Sequence, residues 1–196
     1  MTTPVRLLPT LTERHPNDTV GLVAFVDGFL SAEECRRIME LSRSYEEQIG
    51  RTGDAGKTDS GRDSRVRFVY PDTHNGWVFN RLEEALLRLN ENYRFDLHGF
   101  FEGYQVASYS SGGHYDWHVD IGTGPFSTRK LSLSVQLSDA SEYDGGELEF
   151  MSTDELAPRA IGSLVAFPSF LAHRVRPVTR GTRHSLVSWI SGPPFR

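Results

Sequence analysis

The chain has 196 residues, 38% hydrophobic and 11% aromatic, which suits one well-packed domain, excludes a disordered chain and is short for two. A formal net charge of −5 with no Lys/Arg block speaks against a general duplex nucleic-acid binder, which needs a basic footprint. The single cysteine, Cys35, rules out an internal disulfide and any Cys-rich zinc or iron–sulfur site. Met1 to Thr10 lacks the apolar core of a signal peptide, and no run approaches a membrane-spanning length. The expectation is a single cytoplasmic domain over 1–196 with no membrane partner, as monomer or homodimer.

In chain order, Val20 to Phe29 reads as a strand ending in a turn at Asp27-Gly28. Ser31 and Glu34 then fit a capping box, and Cys35, Ile38 and Met39 form the apolar stripe of the helix that follows, with Cys35 as a buried structural thiol. A second helix is predicted over about Trp77 to Asn92, with Val78, Phe79, Leu82, Leu86 and Leu89 on one face. Between the helices, Gly50 to Ser64 has no apolar periodicity and reads as a surface loop. Arg51, Lys57, Arg62, Arg65 and Arg67 in and near it suit an anionic ligand, and a lid over substrate is the sharper alternative.

From about Gly99 the texture changes to short β-rich runs. Strands are predicted at Gly103–Tyr109, Tyr115–Val119, Leu131–Leu137, Glu147–Phe150, Ser163–Phe167, His173–Val175 and His184–Ile190, with a strong turn at Asp144-Gly145-Gly146. Helices followed by many short strands imply an α+β, mainly β protein, a β-sandwich or jelly roll over about 99–191 braced by an N-terminal strand and helices over about 20–95. Phe150, Phe167 and Phe170 read as core, Tyr143 and Glu147 as turn residues.

His118-Val119-Asp120 carries the chemistry. A histidine and a carboxylate one residue apart point the same way if the segment is a strand. His173 lies 53 residues after Asp120. Two histidines and one carboxylate can occupy one triangular face of a metal ion and leave open positions, the pattern of non-haem Fe(II) oxygenases. A bidentate 2-oxo acid and dioxygen fit those positions, and the far carboxylate of such an acid needs a cation. Arg183, ten residues past His173, offers a planar fork of permanent charge. Ser185 and Trp189 share its strand face.

The run from Tyr109 to Asp120 (Tyr-Ser-Ser-Gly-Gly-His-Tyr-Asp-Trp-His-Val-Asp) resembles the metal-binding strand of prolyl-4-hydroxylase-like 2-oxoglutarate/Fe(II) dioxygenases. Further matches follow in order at Arg129–Ser138, Tyr143–Leu148, Gly162–Pro168, His173–Pro177 and Gly181–Trp189. The resemblance implies a double-stranded β-helix, a cupin-like jelly roll, binding Fe(II) through His118, Asp120 and His173. It implies 2-oxoglutarate held by Arg183 with Tyr109, Ser185 and Gln136 as further contacts, O2 as cosubstrate and ascorbate as a candidate auxiliary reductant. Many relatives place lysine at the Arg183 position, and some place tyrosine at the Gln136 position. Arg129, Trp117, His114, Asp116 and Trp189 are substrate-contact candidates.

The reaction implied is hydroxylation of an unactivated C–H bond of an amino acid, peptidyl residue or amino-acid-derived metabolite, with release of succinate and CO2. Related halogenases lack the carboxylate that Asp120 supplies. The competing reading is a non-oxidative cupin-like metal module or a zinc hydrolase, since the same ligands accept zinc, but neither has an evident need for Arg183. A nucleic-acid repair enzyme is weakened by the acidic balance. His184 faces away from Arg183 and reads as structural.

Overall fold

The computed structural model describes residues 17–51 and 61–195. Its elements are β1 (Ala24–Val26), α1 (Ala32–Ser42), β2 (Gln48–Ile49), β3 (Arg62–Asp63), β4 (Arg65–Val69), α2 (Gly76–Tyr93), β5 (Tyr104–Tyr109), β6 (His114–His118), a 3-10 turn at Gly124–Thr128, β7 (Arg129–Gln136), β8 (Tyr143–Gly145), β9 (Leu148–Phe150), β10 (Leu164–Pro168), β11 (His173–Val175), β12 (Val178–Gly181) and β13 (Arg183–Ser191). A seven-stranded antiparallel sheet runs in the order β1-β10-β7-β13-β5-β4-β2 and a four-stranded sheet in the order β3-β6-β11-β9. β12 and β8 form a separate ribbon. This is the mainly β jelly roll that the strand pattern implies.

Two apolar clusters lie on opposite faces of the large sheet. On one face, Leu131, Leu133, Val135, Leu164, Leu186 and Ile190 pack against Cys35 and Ile38 of α1 and Val78, Phe79, Leu82 and Leu86 of α2. Each such side chain taken out of water contributes on the order of 1.5–3 kcal/mol. On the other face, Ala107, Tyr109, Val165 and Phe167 meet Leu148, Phe150 and Val175 of the small sheet. Successive residues of β7 and β13 alternate between the two environments, as strand geometry requires.

The helix signals behave locally. Ser31 closes its capping box, with the Glu34 N–H donating to Ser31 Oγ at 3.1 Å and the Ser31 N–H donating to Glu34 Oε2 at 2.8 Å, a motif worth roughly 1 kcal/mol. The α1 start is then fixed to β10 by a glycine. Gly162 has φ +79, and a Cβ there would fall 1.8 Å from the Leu30 carbonyl oxygen, which itself follows a Leu30 N–H bond to Gly162 O.

Several predicted boundaries shift. The first strand shrinks to three residues, because only Ala24–Val26 meets β10. β4 went unpredicted: its Arg65-Val66-Arg67-Phe68-Val69 run alternates, but its charges resemble a loop. The predicted turn at Asp144-Gly145-Gly146 is partly strand, since Tyr143–Gly145 pairs with β12. Arg62 lies in a strand rather than a loop. Residues 52–60 of the predicted loop, Lys57 among them, lie outside the described residues, and so does the lid question. Phe170 is 39% exposed, a turn residue between β10 and β11 rather than core. No helix among the described residues is long and apolar enough to cross a membrane.

Candidate metal centre

The inward face of the large sheet gives up apolar packing to leave a cavity of about 470 Å³, within the range of about 300–1,000 Å³ usual for small-molecule sites. Gln105 and Tyr109 from β5, Ser134 from β7, and Arg183, Ser185, Val187 and Trp189 from β13 line it. The small sheet closes the opposite side with Tyr115, His118 and His173.

His118, Asp120 and His173 meet here, each offering one ligand atom, with all three within 4.8 Å of one another. His118 Nε2 lies 3.8 Å from Asp120 Oδ1, and His173 Nε2 lies 3.7 Å from Asp120 Oδ2. The two histidines are Cα partners across β6 and β11. Their Nδ1 atoms lie 2.7 Å from the Asp116 carbonyl and 3.0 Å from the Leu171 carbonyl. A carbonyl only accepts, so each Nδ1 carries the proton and each Nε2 keeps its lone pair for the cavity. Burial, reinforced by neighbouring His173, pushes the His118 pKa down to about 4, which keeps that ring neutral at pH 7. Burial opposes ionisation of Asp120, but His173, His118 and the Ser132 hydroxyl outweigh it and hold the carboxyl below its usual range.

Asp120 is not on the strand that carries His118. β6 ends at His118, and the Asp120 segment is held from other elements. Its N–H donates to the Ser169 carbonyl at 2.9 Å, its Oδ2 accepts from Ser132 Oγ at 2.6 Å, and its carbonyl accepts from Arg129 at 3.0 Å. Ser132 and Ser169 hydroxyls share a further bond at 3.0 Å. The residue spacing brings the ligands together for a different reason from the one strand alternation supplies.

Strand alternation also fails upstream of His118. His173 pairs with His118 while Val175 pairs with Tyr115, so β6 spends three steps where β11 spends two. This bulge switches parity. Tyr115 therefore shares the His118 face, with the rings stacked at 3.4 Å. His114, Asp116 and Trp117 lie outside the cavity lining. His114 Nδ1 is bonded to Gly112 O, Asp116 is exposed and Trp117 packs under Arg174. Tyr115 is the residue that the alternation rule missed.

Arg183 is 5% exposed, lines the cavity and has no carboxylate partner among the described residues. Its guanidinium carbon lies 5.8 Å from the Tyr109 ring centre, its Cα partner on β5. Gly146 makes room for it: a Cβ there would sit 3.1 Å from Arg183 Cδ, at φ +67. Ser185 and Trp189 line the same cavity. Gln136 does not. Its amide donates to Tyr143 Oη at 3.1 Å and to the Ser138 carbonyl at 3.3 Å, behind Arg183. Arg129 lines the cavity but is occupied, forked onto Glu102 at 2.7 and 2.5 Å and lying 4.0 Å over Trp189. His184 faces away, its Nδ1 2.8 Å from Ser108 Oγ.

A jelly roll holding two imidazoles and a carboxylate at a cavity edge has the form of a mononuclear facial-triad metalloprotein. The profile of the 2OG-Fe(II) oxygenase superfamily matches residues 104–191. A PKHD-type hydroxylase of Maricaulis maris is 28% identical over 187 residues, covering 94% of this chain and 74% of that protein. Another, of Pseudomonas putida, is 29% identical over 181 residues, covering 86% and 77%. Among solved structures, a Pseudomonas putida prolyl-4-hydroxylase superposes with a TM-score of 0.72 at 22% identity, covering 88% of this chain and 94% of that one. The 2OG complex of a viral collagen prolyl hydroxylase from Paramecium Bursaria Chlorella virus-1 gives 0.67 at 21%, covering 87% and 96%. Over residues 104–191 the chain is therefore similar to the 2OG-Fe(II) oxygenase superfamily, and over most of its length to PKHD-type hydroxylases, with the fold of the prolyl hydroxylases. The description of that superfamily names 2OG and Fe(II), and the His118, Asp120 and His173 group lies within the matched residues.

Proposed function

We propose that His118, Asp120 and His173 bind Fe(II) and that Arg183 binds the far carboxylate of 2-oxoglutarate, so that the protein hydroxylates a C–H bond of an amino acid, a peptidyl residue or an amino-acid-derived metabolite. The observation that carries this reading is the pairing, in one cavity, of two imidazoles whose Nε2 lone pairs are free with a buried guanidinium that has no carboxylate partner among the described residues. A zinc hydrolase has use for the first and none for the second. The names of the relatives and neighbours, PKHD-type and prolyl hydroxylases, support the substrate class.

When bound with 2-oxoglutarate, Fe(II) supplies the activation of O2, with succinate and CO2 as the coproducts. The chain supplies the rest. Arg183 forks onto the carboxylate in a dry setting where that pairing is strong. Tyr109 and Ser185 offer hydroxyls beside it, and Trp189 walls off water. Ser132 holds Asp120 through one oxygen, leaving the other for the metal.

The test is anaerobic. Adding 2-oxoglutarate to the Fe(II)-loaded protein is expected to raise a visible metal-to-ligand charge-transfer band, with weaker cosubstrate binding in Arg183→Gln. Tight Fe(II) binding with no band and no 2-oxoglutarate-dependent succinate release would leave the non-oxidative metal module in its place.

A further inference from the structure

The arginines that line the cavity differ in what neutralises them. Arg129 is cancelled by Glu102, and on the reading above, on which this inference rests, Arg183 takes the cosubstrate carboxylate. Arg62 has neither arrangement. Its Nε donates to Ser64 Oγ at 2.8 Å, one terminal nitrogen to Gln105 Oε1 at 3.0 Å and the other to the Arg51 carbonyl at 3.2 Å. Neutral oxygens orient a guanidinium without cancelling its charge. Tyr115 is a further side-chain partner, so the guanidinium is held by neutral groups and keeps its full charge toward the cavity. No ion pair to Arg62 is found among the described residues.

Its position is close to the chemistry. The guanidinium carbon lies 4.5 Å from the Tyr115 ring centre, and that ring lies 3.4 Å from the His118 ring centre, so Arg62 is within about 8 Å of His118. That is the reach of roughly two extended residues. Charge points the same way. Fe(II) and dianionic 2-oxoglutarate cancel, Arg183 offsets Asp120, and Glu102 offsets Arg129. Arg62 and Arg51, which also lines the cavity, are left without an acidic partner among the described residues, and of the two it is the Arg62 guanidinium that neutral side-chain oxygens hold in place.

We propose that Arg62, aimed by Gln105 and Ser64, is the substrate-anion receptor, so that the substrate carries a carboxylate within about two residue lengths of the carbon that is hydroxylated. Two sources share this chemistry, the α-carboxylate of a free amino acid and the side chain of an acidic peptide.

The Fe(II)- and 2-oxoglutarate-loaded protein is assayed for stimulated succinate release with the common L-amino acids, their carboxamides, and N-acetylated amide-capped peptides containing Asp or Glu. Separately, acetate is titrated into the metal-free protein while the arginine Nε–Hε NMR resonances are followed, Arg62 being assigned through R62K. Free acids, or acidic peptides if those are the source, are expected to have KM values about 10–100-fold below their uncharged counterparts. Acetate is expected to shift the Arg62 resonance. R62Q should shrink the acid-to-amide ratio to a few-fold while R62K keeps its sign. Equal KM values for acid and amide in the unaltered protein, an unchanged ratio in R62Q, or no acetate shift at Arg62 overturns the proposal. Absence of the charge-transfer band sinks the oxygenase reading instead, and the acetate titration still decides the role of Arg62.

Discussion

The two faces of the large sheet share every backbone hydrogen bond and almost nothing else. Along β7, Leu131, Leu133 and Val135 point to the helices while Ser132 and Ser134 point the other way. Along β13, Leu186 and Ile190 alternate with Arg183, Ser185 and Trp189. The helix side carries branched aliphatic bulk. The cavity side carries serines too small to fill it and a guanidinium costly to bury. Stability and chemistry are thus separated by one residue of strand rather than by domain, and a face closed by two helices allows its reverse to stay hollow.

The sharpest way to break this contrast is to remove a ligand. Asp120→Ala and His173→Ala are expected to lose Fe(II) binding and turnover to the detection limit while far-UV circular dichroism stays unchanged. Iron content after desalting checks the first and succinate release the second. Unchanged succinate production in Asp120→Ala would show that the cavity face works without its carboxylate. Next come two neighbours on opposite faces. Leu133→Ala should cost about 2–5 kcal/mol in urea unfolding, because it empties a packed position. Ser134→Ala should stay within about 0.5 kcal/mol, because its side borders space already open. Similar losses at both sites would mean that the faces are not energetically distinct. A smaller effect is expected at Ser132, whose hydroxyl holds one oxygen of Asp120. Ser132→Ala should weaken Fe(II) affinity about 10–100-fold, the usual consequence of losing an outer-sphere hydrogen bond to a ligand, read by competition with a metal-binding dye.

What could be read from the sequence follows how far each signal reaches along the chain. The capping box at Ser31 and the stripes of both helices were legible because their partners lie within a turn or two. His118, Asp120, His173 and Arg183 were legible as a set because their types and order match a chemistry, although the reason for the first pair's proximity was misjudged. One bulge in β6, visible only in its pairing with β11, removes His114 and Asp116 from the cavity and inserts Tyr115, while Trp117 lies outside it by ordinary alternation from His118. Ser169 and Glu102 were not legible because each meets the site through a separate long-range register, whereas Arg62 was legible only as one of five cations suited to an anionic ligand. Gln136 sits on the inward parity of β7, yet Tyr143 and Ser138 take up its amide, and no local pattern announces those partners.

The smallest expected effect separates the two faces by pH. His118 on the cavity side has its pKa pushed down to about 4, chiefly by burial. His184, on the helix-side parity of β13, is also lowered by burial first, with Arg67 and Arg183 adding to it. Both folded values lie below the ordinary histidine value of about 6.5, so on acidification from neutrality the unfolded chain takes up protons that the folded chain refuses. Stability of the metal-free protein should therefore be full above about pH 7 and fall as pH drops through the histidine range toward 4. Saturating Fe(II) holds the His118 lone pair and should move its share of this loss to lower pH, whereas the His184 share should not respond to metal. His184→Gln should flatten the metal-loaded profile of midpoint urea concentration against pH. If it instead flattens only the metal-free profile, the two histidines are coupled through β13, and the separation between the faces is less complete than their contacts suggest.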